Sequence, residues 1–109
     1  MIEEQDFACQ CGCGLNNVSR ALIRMLADAG ISKINSGCRC EKHNEHVGGS
    51  KTSSHLLGLA VDIPVTSSRA RFKTIKALID AGFTRIGIGA SFIHADIDPD
   101  KSQEVAWKY

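Results

Sequence analysis

No stretch of this 109-residue chain approaches the ~18 apolar residues that a membrane-spanning helix needs. No block of like charges stands out either. Thirteen basic and 12 acidic side chains leave a formal charge of +1, without the basic face that a nucleic-acid partner would require. Internal repeats and low-complexity linkers are missing as well. The opening Met1-Ile2-Glu3-Glu4-Gln5-Asp6 is acidic and has no apolar segment, so it does not read as a signal peptide. The expectation is synthesis in the cytoplasm, with a separate means of release if the protein acts elsewhere.

What is present suits one small domain over residues 1–109, because separate cores need roughly 50 residues each. Hydrophobic residues make up 43%, an ordinary share for a globular chain. Five cysteines are many for this length, and they fall in two groups: Cys9, Cys11 and Cys13, then Cys38 and Cys40. An odd number without a secretion signal argues against a simple disulfide framework.

Residues 1–14 form a cysteine-rich N-terminal arm, extended or looped. Asn16 or Asn17 offers an N-cap to a helix with Val18, Leu22, Met25, Leu26 and Ala29 at helical spacing, closed by Gly30. Ile31 to Asn35 is a short strand candidate, and Glu41 to Val47 fits one or two helical turns. Gly48 to Ser54 is a loop by composition. Leu59 to Val65 reads as a strand, short or at a sheet edge because of Pro64. Ser67 or Ser68 caps a second long helix, with Phe72, Ile75, Leu78 and Ile79 inward and Gly82 as its stop. Strands Thr84 to Ile88 and Ser91 to Ile97 follow. The expected fold is α+β: a small, mostly antiparallel sheet packed against two main helices.

Chemistry concentrates in Ser53-Ser54-His55-Leu56-Leu57-Gly58-Leu59-Ala60-Val61-Asp62 and in the strand that carries His94. Alternate residues of a strand share a face. Ile93, Ala95 and Ile97 therefore suit the core, while Phe92, His94, Asp96 and Asp98 face the other way. His55 and Asp62 from one segment and His94 from another supply three zinc donors, the number that catalytic sites use with one position left for water. Water at such a centre becomes a nucleophile near neutral pH.

Ser53-x-His55-x-x-Gly58-x-Ala60-x-Asp62, followed by Phe92-Ile93-His94-Ala95-Asp96, resembles the motif pair of the zinc D-alanyl-D-alanine carboxypeptidase family. That family includes phage endolysins that cut L-alanyl-D-glutamate bonds, and it shares its fold with the hedgehog signalling domain. Ser36-Gly37-Cys38-Arg39, His43-Asn44, Val47-Gly48-Gly49 and Trp107-x-Tyr109 resemble its short, phage-type members, so the likeness covers about residues 7 to 109. It implies a hedgehog/DD-peptidase-like fold and Zn2+ on His55, Asp62 and His94. It carries Arg39 over as the residue that meets a substrate carboxylate, for which a planar guanidinium is suited. Capping a turn or pairing with Glu41 is the plain alternative for Arg39. Ser53 would bind substrate or a ligand, or only cap its loop.

Many members place an acid three positions before the second histidine, where this chain has Ser91. Asp96 is the nearest carboxylate, either as general base or as a partner that orients His94. His43 reads as anchoring its turn through hydrogen bonds and His46 as exposed, so both stay outside the metal set. The cysteines admit three states: a second, structural metal drawn from Cys9, Cys11, Cys13, Cys38 and Cys40, a disulfide between the two groups, or free thiols.

The function expected is hydrolysis of peptidoglycan stem peptides by zinc-activated water, as a D,D-carboxypeptidase or an endolysin-type endopeptidase at the bacterial cell wall. The alternative is a non-catalytic zinc module that binds the wall or a partner. A phage component assisting wall penetration is a third reading. The chain is expected to be a monomer whose partner is a peptidoglycan peptide.

Overall fold

In the computed structural model, which describes residues 2–109, Ser19 opens the first helix, α1 (Arg20–Asp28), its hydroxyl accepting from the Leu22 N–H at 3.5 Å. The sequence pointed to Asn16 or Asn17, but the helix starts beyond both, and Asn16 Oδ1 accepts from the Val18 N–H at 3.3 Å in the segment before it. Asn16 Nδ2 donates to the Glu4 carbonyl and Asn17 Nδ2 to the Leu56 carbonyl. Leu22 and Leu26 are fully buried from α1, each contributing about 1.5–3 kcal/mol by leaving water. The helix stops at Gly30 as expected, with φ +74° and the Ile31 N–H returning to the Leu26 carbonyl.

Short helix α2 (Glu41–His46) follows. The Ile31–Asn35 strand does not form; what remains is one bridge, Ser36 to Asp62, on the outer edge of strand β1 (Ala60–Pro64). Asp62 turns its N–H and carbonyl to that edge, receiving Asn35 and meeting Ser36. The next outward position is Pro64, which has no N–H, so the ladder stops.

A longer helix, α3 (Ser68–Asp80), is capped by Ser67 and ends at Gly82. Leu78 is fully buried and Ile75 packs on the core, but Phe72 and Ile79 are 68% and 56% exposed. Both were expected inward. At about 100° per residue they lie a third of a turn around the helix from Leu78, and the sheet covers only the Leu78 side.

Strands β2 (Arg85–Ile88), β3 (Phe92–Asp96) and β4 (Val105–Lys108) complete a sheet in the order β1-β3-β2-β4. The β1–β3 and β3–β2 pairings are antiparallel, and β2–β4 is parallel. Strand β4 was not read from the sequence, and it makes the sheet mixed at one edge. Pro64 sits on the opposite edge, as proline requires. Three helices and four strands among the described residues give the α+β class expected.

The N-terminal segment is docked rather than free. Residues Glu4–Phe7 form a 3-10 turn, Phe7 is fully buried, and the Cys38 N–H donates to the Phe7 carbonyl at 2.8 Å. The core therefore draws on both ends of the sequence: Phe7, Leu22, Leu26, Val61, Leu78 and Ile93 all have zero exposure.

Candidate metal centre

His55 lies on a 3-10 turn, Ser54–Leu57, that leads into β1. Ser53 caps it, its hydroxyl accepting from the His55 N–H at 3.2 Å. The turn ends on Gly58 at φ +70°, where a Cβ would overlap the Asn17 carbonyl; a glycine is needed there for both conformation and space. Ser54 fastens the same turn to the end of β3. Its hydroxyl donates to Asp98 at 2.8 Å and accepts from Lys101 Nζ at 2.8 Å.

Register then does the rest. In β1 and β3, Asp62 stands directly opposite His94. Asp62 Oδ1 is 3.4 Å from His55 Nε2 and 3.1 Å from His94 Nδ1. Ligands about 2.1 Å from a tetrahedral ion stand about 3.4 Å apart, so these separations suit a shared ion. Each imidazole has its other nitrogen anchored. His55 Nδ1 bonds the Gly37 carbonyl at 2.7 Å, and His94 Nε2 bonds Asp96 Oδ2 at 2.7 Å. The free nitrogens, Nε2 of His55 and Nδ1 of His94, are the ones that face Asp62. His55 and His94 are 2% and 6% exposed.

Electrostatics fit the same arrangement. Burial pushes the Asp62 carboxyl up, but bonds to His55 and then His94 outweigh it and hold the carboxyl well below its usual range. Burial disfavours the His94 imidazolium, yet Asp62 and Asp96 together raise its pKa above 6.5. The three residues form a group that could hold a metal ion.

Asp96 was weighed as general base or as a partner of His94. Its residue is 1% exposed and both oxygens are occupied. Oδ2 meets His94, while Oδ1 accepts from Arg85 Nε at 2.7 Å and the Asp98 N–H at 3.1 Å. Ser91 is exposed immediately before the strand. Arg39 does not pair with Glu41. It reaches Asp62 Oδ2 at 3.4 Å and Asn44 Oδ1 at 3.2 Å, at the rim of the site. Two clefts, of about 500 and 520 Å³, flank the turn that carries His55, one lined by Asn44, Gly49 and Leu56, the other by Ser53, Leu56 and Lys101.

Arg85 and Gly87 escaped the sequence reading, and Trp107 and Tyr109, noted there for their resemblance, were given no place in the site. Arg85 braces Asp96 and also stacks 4.9 Å from the Trp107 ring. Trp107 lies 5.5 Å from the His94 ring, with Tyr109 beside it. Gly87 pairs with both His94 and Trp107, and a Cβ there would stand 2.6 Å from the Tyr109 ring. The bare backbone at Gly87 is what lets the two aromatics lean over His94 and shield it from water. A period-two alternation in Trp107-x-Tyr109 was the available signal.

Of the predicted site residues, the structure brings together His55, Asp62 and His94, with Arg39 and Asp96 touching them and Ser53 capping the turn. Cys9, Cys11, Cys13 and Cys40 gather at a separate point. Cys38 is not among them; its thiol is buried against Asn16 Oδ1. Residues 4–96 match the protein family described as Peptidase M15. No curated protein matches the chain.

Proposed function

The chain belongs to the peptidase M15 family, and from that premise we propose that it is a zinc-dependent peptidase acting on peptidoglycan stem peptides, as a D,D-carboxypeptidase or an endolysin-type endopeptidase at the bacterial wall. The observation that carries this is the convergence of two free imidazole nitrogens on one carboxylate oxygen, with every other donor atom of the three residues braced. The donor set is mixed nitrogen and oxygen, borderline in softness, which suits zinc. When bound, the ion supplies Lewis-acid polarisation of the scissile carbonyl and makes water nucleophilic near neutral pH.

The protein's own groups have distinct tasks. His55, Asp62 and His94 hold the ion. Asp96 keeps the proton of His94 on Nε2, which leaves Nδ1 as the donor, and against the cost of burial the bonds from His94 first, then the Asp98 N–H and Arg85, keep Asp96 ionised. This favours the orienting role for Asp96 over that of general base. Arg39 receives a substrate carboxylate at the rim, releasing Asn44 to do so, and the Ser53 hydroxyl can donate to the substrate because its accepting lone pair is the part engaged. The aromatic pair Trp107 and Tyr109 limits water at His94.

Arg39→Lys is expected to raise KM by about 10-fold to 100-fold with kcat little changed, because a charge-assisted pair is worth about 1.5–3 kcal/mol and lysine cannot make the two-pronged form. Steady-state kinetics on a stem peptide measure it; a fall in kcat at constant KM would remove Arg39 from substrate binding. Zinc affinity is expected to fall as pH drops through the raised His94 pKa, by about tenfold per pH unit for the one proton displaced. Competition titration with a chromophoric chelator reads this, and a flat profile across mildly acidic pH would argue against His94 as a ligand.

A second reading has one observation in its favour. With Ser91 in the place of the family's acid and both Asp96 oxygens engaged, no unoccupied carboxylate stands beside the donor set among the described residues. A non-catalytic zinc module that binds the wall would look like this. Zymography on peptidoglycan separates the two. A clearing zone requires hydrolysis, and its absence with zinc-loaded protein favours the binding module.

A further inference from the structure

Four of the five cysteines meet outside the site described above. One sulfur from each of Cys9, Cys11, Cys13 and Cys40 lies within 4.8 Å of the other three. The Cys9–Cys11 and Cys11–Cys40 sulfur separations are 3.5 and 3.7 Å. Four thiolates at about 2.3 Å from one tetrahedral ion stand about 3.8 Å apart, close to what the fold provides. All five cysteines are free, so no covalent bond draws these sulfurs together.

The backbone is shaped around the same point. Gly12 adopts φ +85° between Cys11 and Cys13, a left-handed turn that coils the Cys-x-Cys-Gly-Cys run back on itself. The Cys9 N–H closes the coil on the Leu15 carbonyl at 2.8 Å. Three backbone N–H groups donate to the sulfurs: Cys40 to Cys9 at 3.4 Å, His43 to Cys40 at 3.3 Å, and Leu15 to Cys13 at 3.5 Å. Such donors favour thiolate over thiol. The fifth cysteine is the internal contrast, buried in the core with its thiol on Asn16.

We propose that Cys9, Cys11, Cys13 and Cys40 hold a second, structural zinc ion, distinct from that of the imidazole and carboxylate set. Four protein ligands close the coordination shell, leaving no place for water or substrate, and thiolates select a soft or borderline cation. A disulfide would serve two sulfurs and leave the other two facing each other with nothing between them. Binding sends the thiol protons to solvent, so affinity rises with pH. The ion joins the N-terminal coil to Cys40, immediately after Arg39, whose guanidinium meets Asp62. It thereby fixes the segment that carries both Arg39 and the Gly37 carbonyl that holds His55.

This inference does not rest on the peptidase reading, and its test does not use activity. Protein purified under reducing conditions is analysed for metal by atomic emission and, after cobalt(II) exchange, by absorption. The expected result is two zinc ions per chain and a sulfur-to-cobalt charge-transfer band in the near ultraviolet. Cys11→Ser is expected to lose one ion and that band, whereas Cys38→Ser keeps both. The wild-type measurement stands even if the Cys11 variant does not fold. One zinc ion with all five thiols alkylated under native conditions would overturn the proposal. So would a mass lower by two hydrogens, the mark of a disulfide, or two ions without the thiolate band.

Discussion

His55→Ala is expected to remove one metal ion per chain and to lower stem-peptide hydrolysis by roughly a thousandfold or more, since the ion carries several kcal/mol of the rate enhancement. The magnitude follows from the geometry. His55 Nε2 and His94 Nδ1 stand 3.4 and 3.1 Å from one Asp62 oxygen, so removing His55 leaves two donors of three. The cost to the fold is smaller. His55 lies in a short turn that Ser53, Ser54, Asp98 and Lys101 hold in place by other bonds, and the Gly37 carbonyl loses one partner. Far-ultraviolet circular dichroism should therefore stay close to that of the unmodified protein while metal content drops. A variant that keeps its full metal content and its turnover would remove His55 from the ligand set.

Asp96→Asn is expected to weaken zinc binding by about 10-fold to 100-fold, the usual effect of changing the group that orients a ligating histidine, while kcat at saturating zinc changes far less. An amide in place of the carboxylate still fills the space, but it offers only one acceptor oxygen for the three donors, His94 Nε2, Arg85 Nε and the Asp98 N–H, that Asp96 now serves. Arg85 then sits as an under-compensated cation beside Trp107, which adds a stability loss on the order of 1–3 kcal/mol. Zinc titration and kinetics together discriminate the two roles weighed for Asp96. A large loss of kcat at saturating zinc, with zinc affinity unchanged, would make it the proton acceptor instead. The structure favours the first outcome because both Asp96 oxygens already accept bonds behind the histidine ring.

Much of this was legible in the residues. The two long helices follow from Leu22 and Leu26 at i, i+4 and from Gly30 and Gly82 past their ends. Pro64 marked an edge strand, and alternation in β3 put Ile93 and Ala95 in the core. The Ser53–Asp62 stretch was readable because its small residues do physical work: Gly58 has a left-handed φ and the Asn17 carbonyl against it.

What escaped depended on partners distant in sequence. Asn16 and Asn17 have capping chemistry, but Glu4 and Leu56 hold their Nδ2 groups, the helix starts beyond both, and the cap passes to Ser19. The Ile31–Asn35 strand needed an outer edge that Pro64 denies. Phe72 and Ile79 are apolar at helical spacing, yet the stripe that the sheet covers is narrower than the pattern suggested. Strand β4 is half exposed along its length, so hydrophobic patterning was weak, and its parallel pairing with β2 placed Trp107 and Tyr109 over a site that local reading could not link to them. Arg85 is a similar case: eleven residues from Asp96, it becomes a neighbour only through the β2–β3 pairing.

The central claim is metal-dependent cleavage of a peptidoglycan stem peptide, and mass analysis of a stem-peptide digest with and without a chelator tests it most directly. The account predicts a cleaved fragment or released D-alanine, lost on chelation and restored by zinc. An intact peptide with zinc-loaded protein, or cleavage that the chelator does not touch, would contradict it.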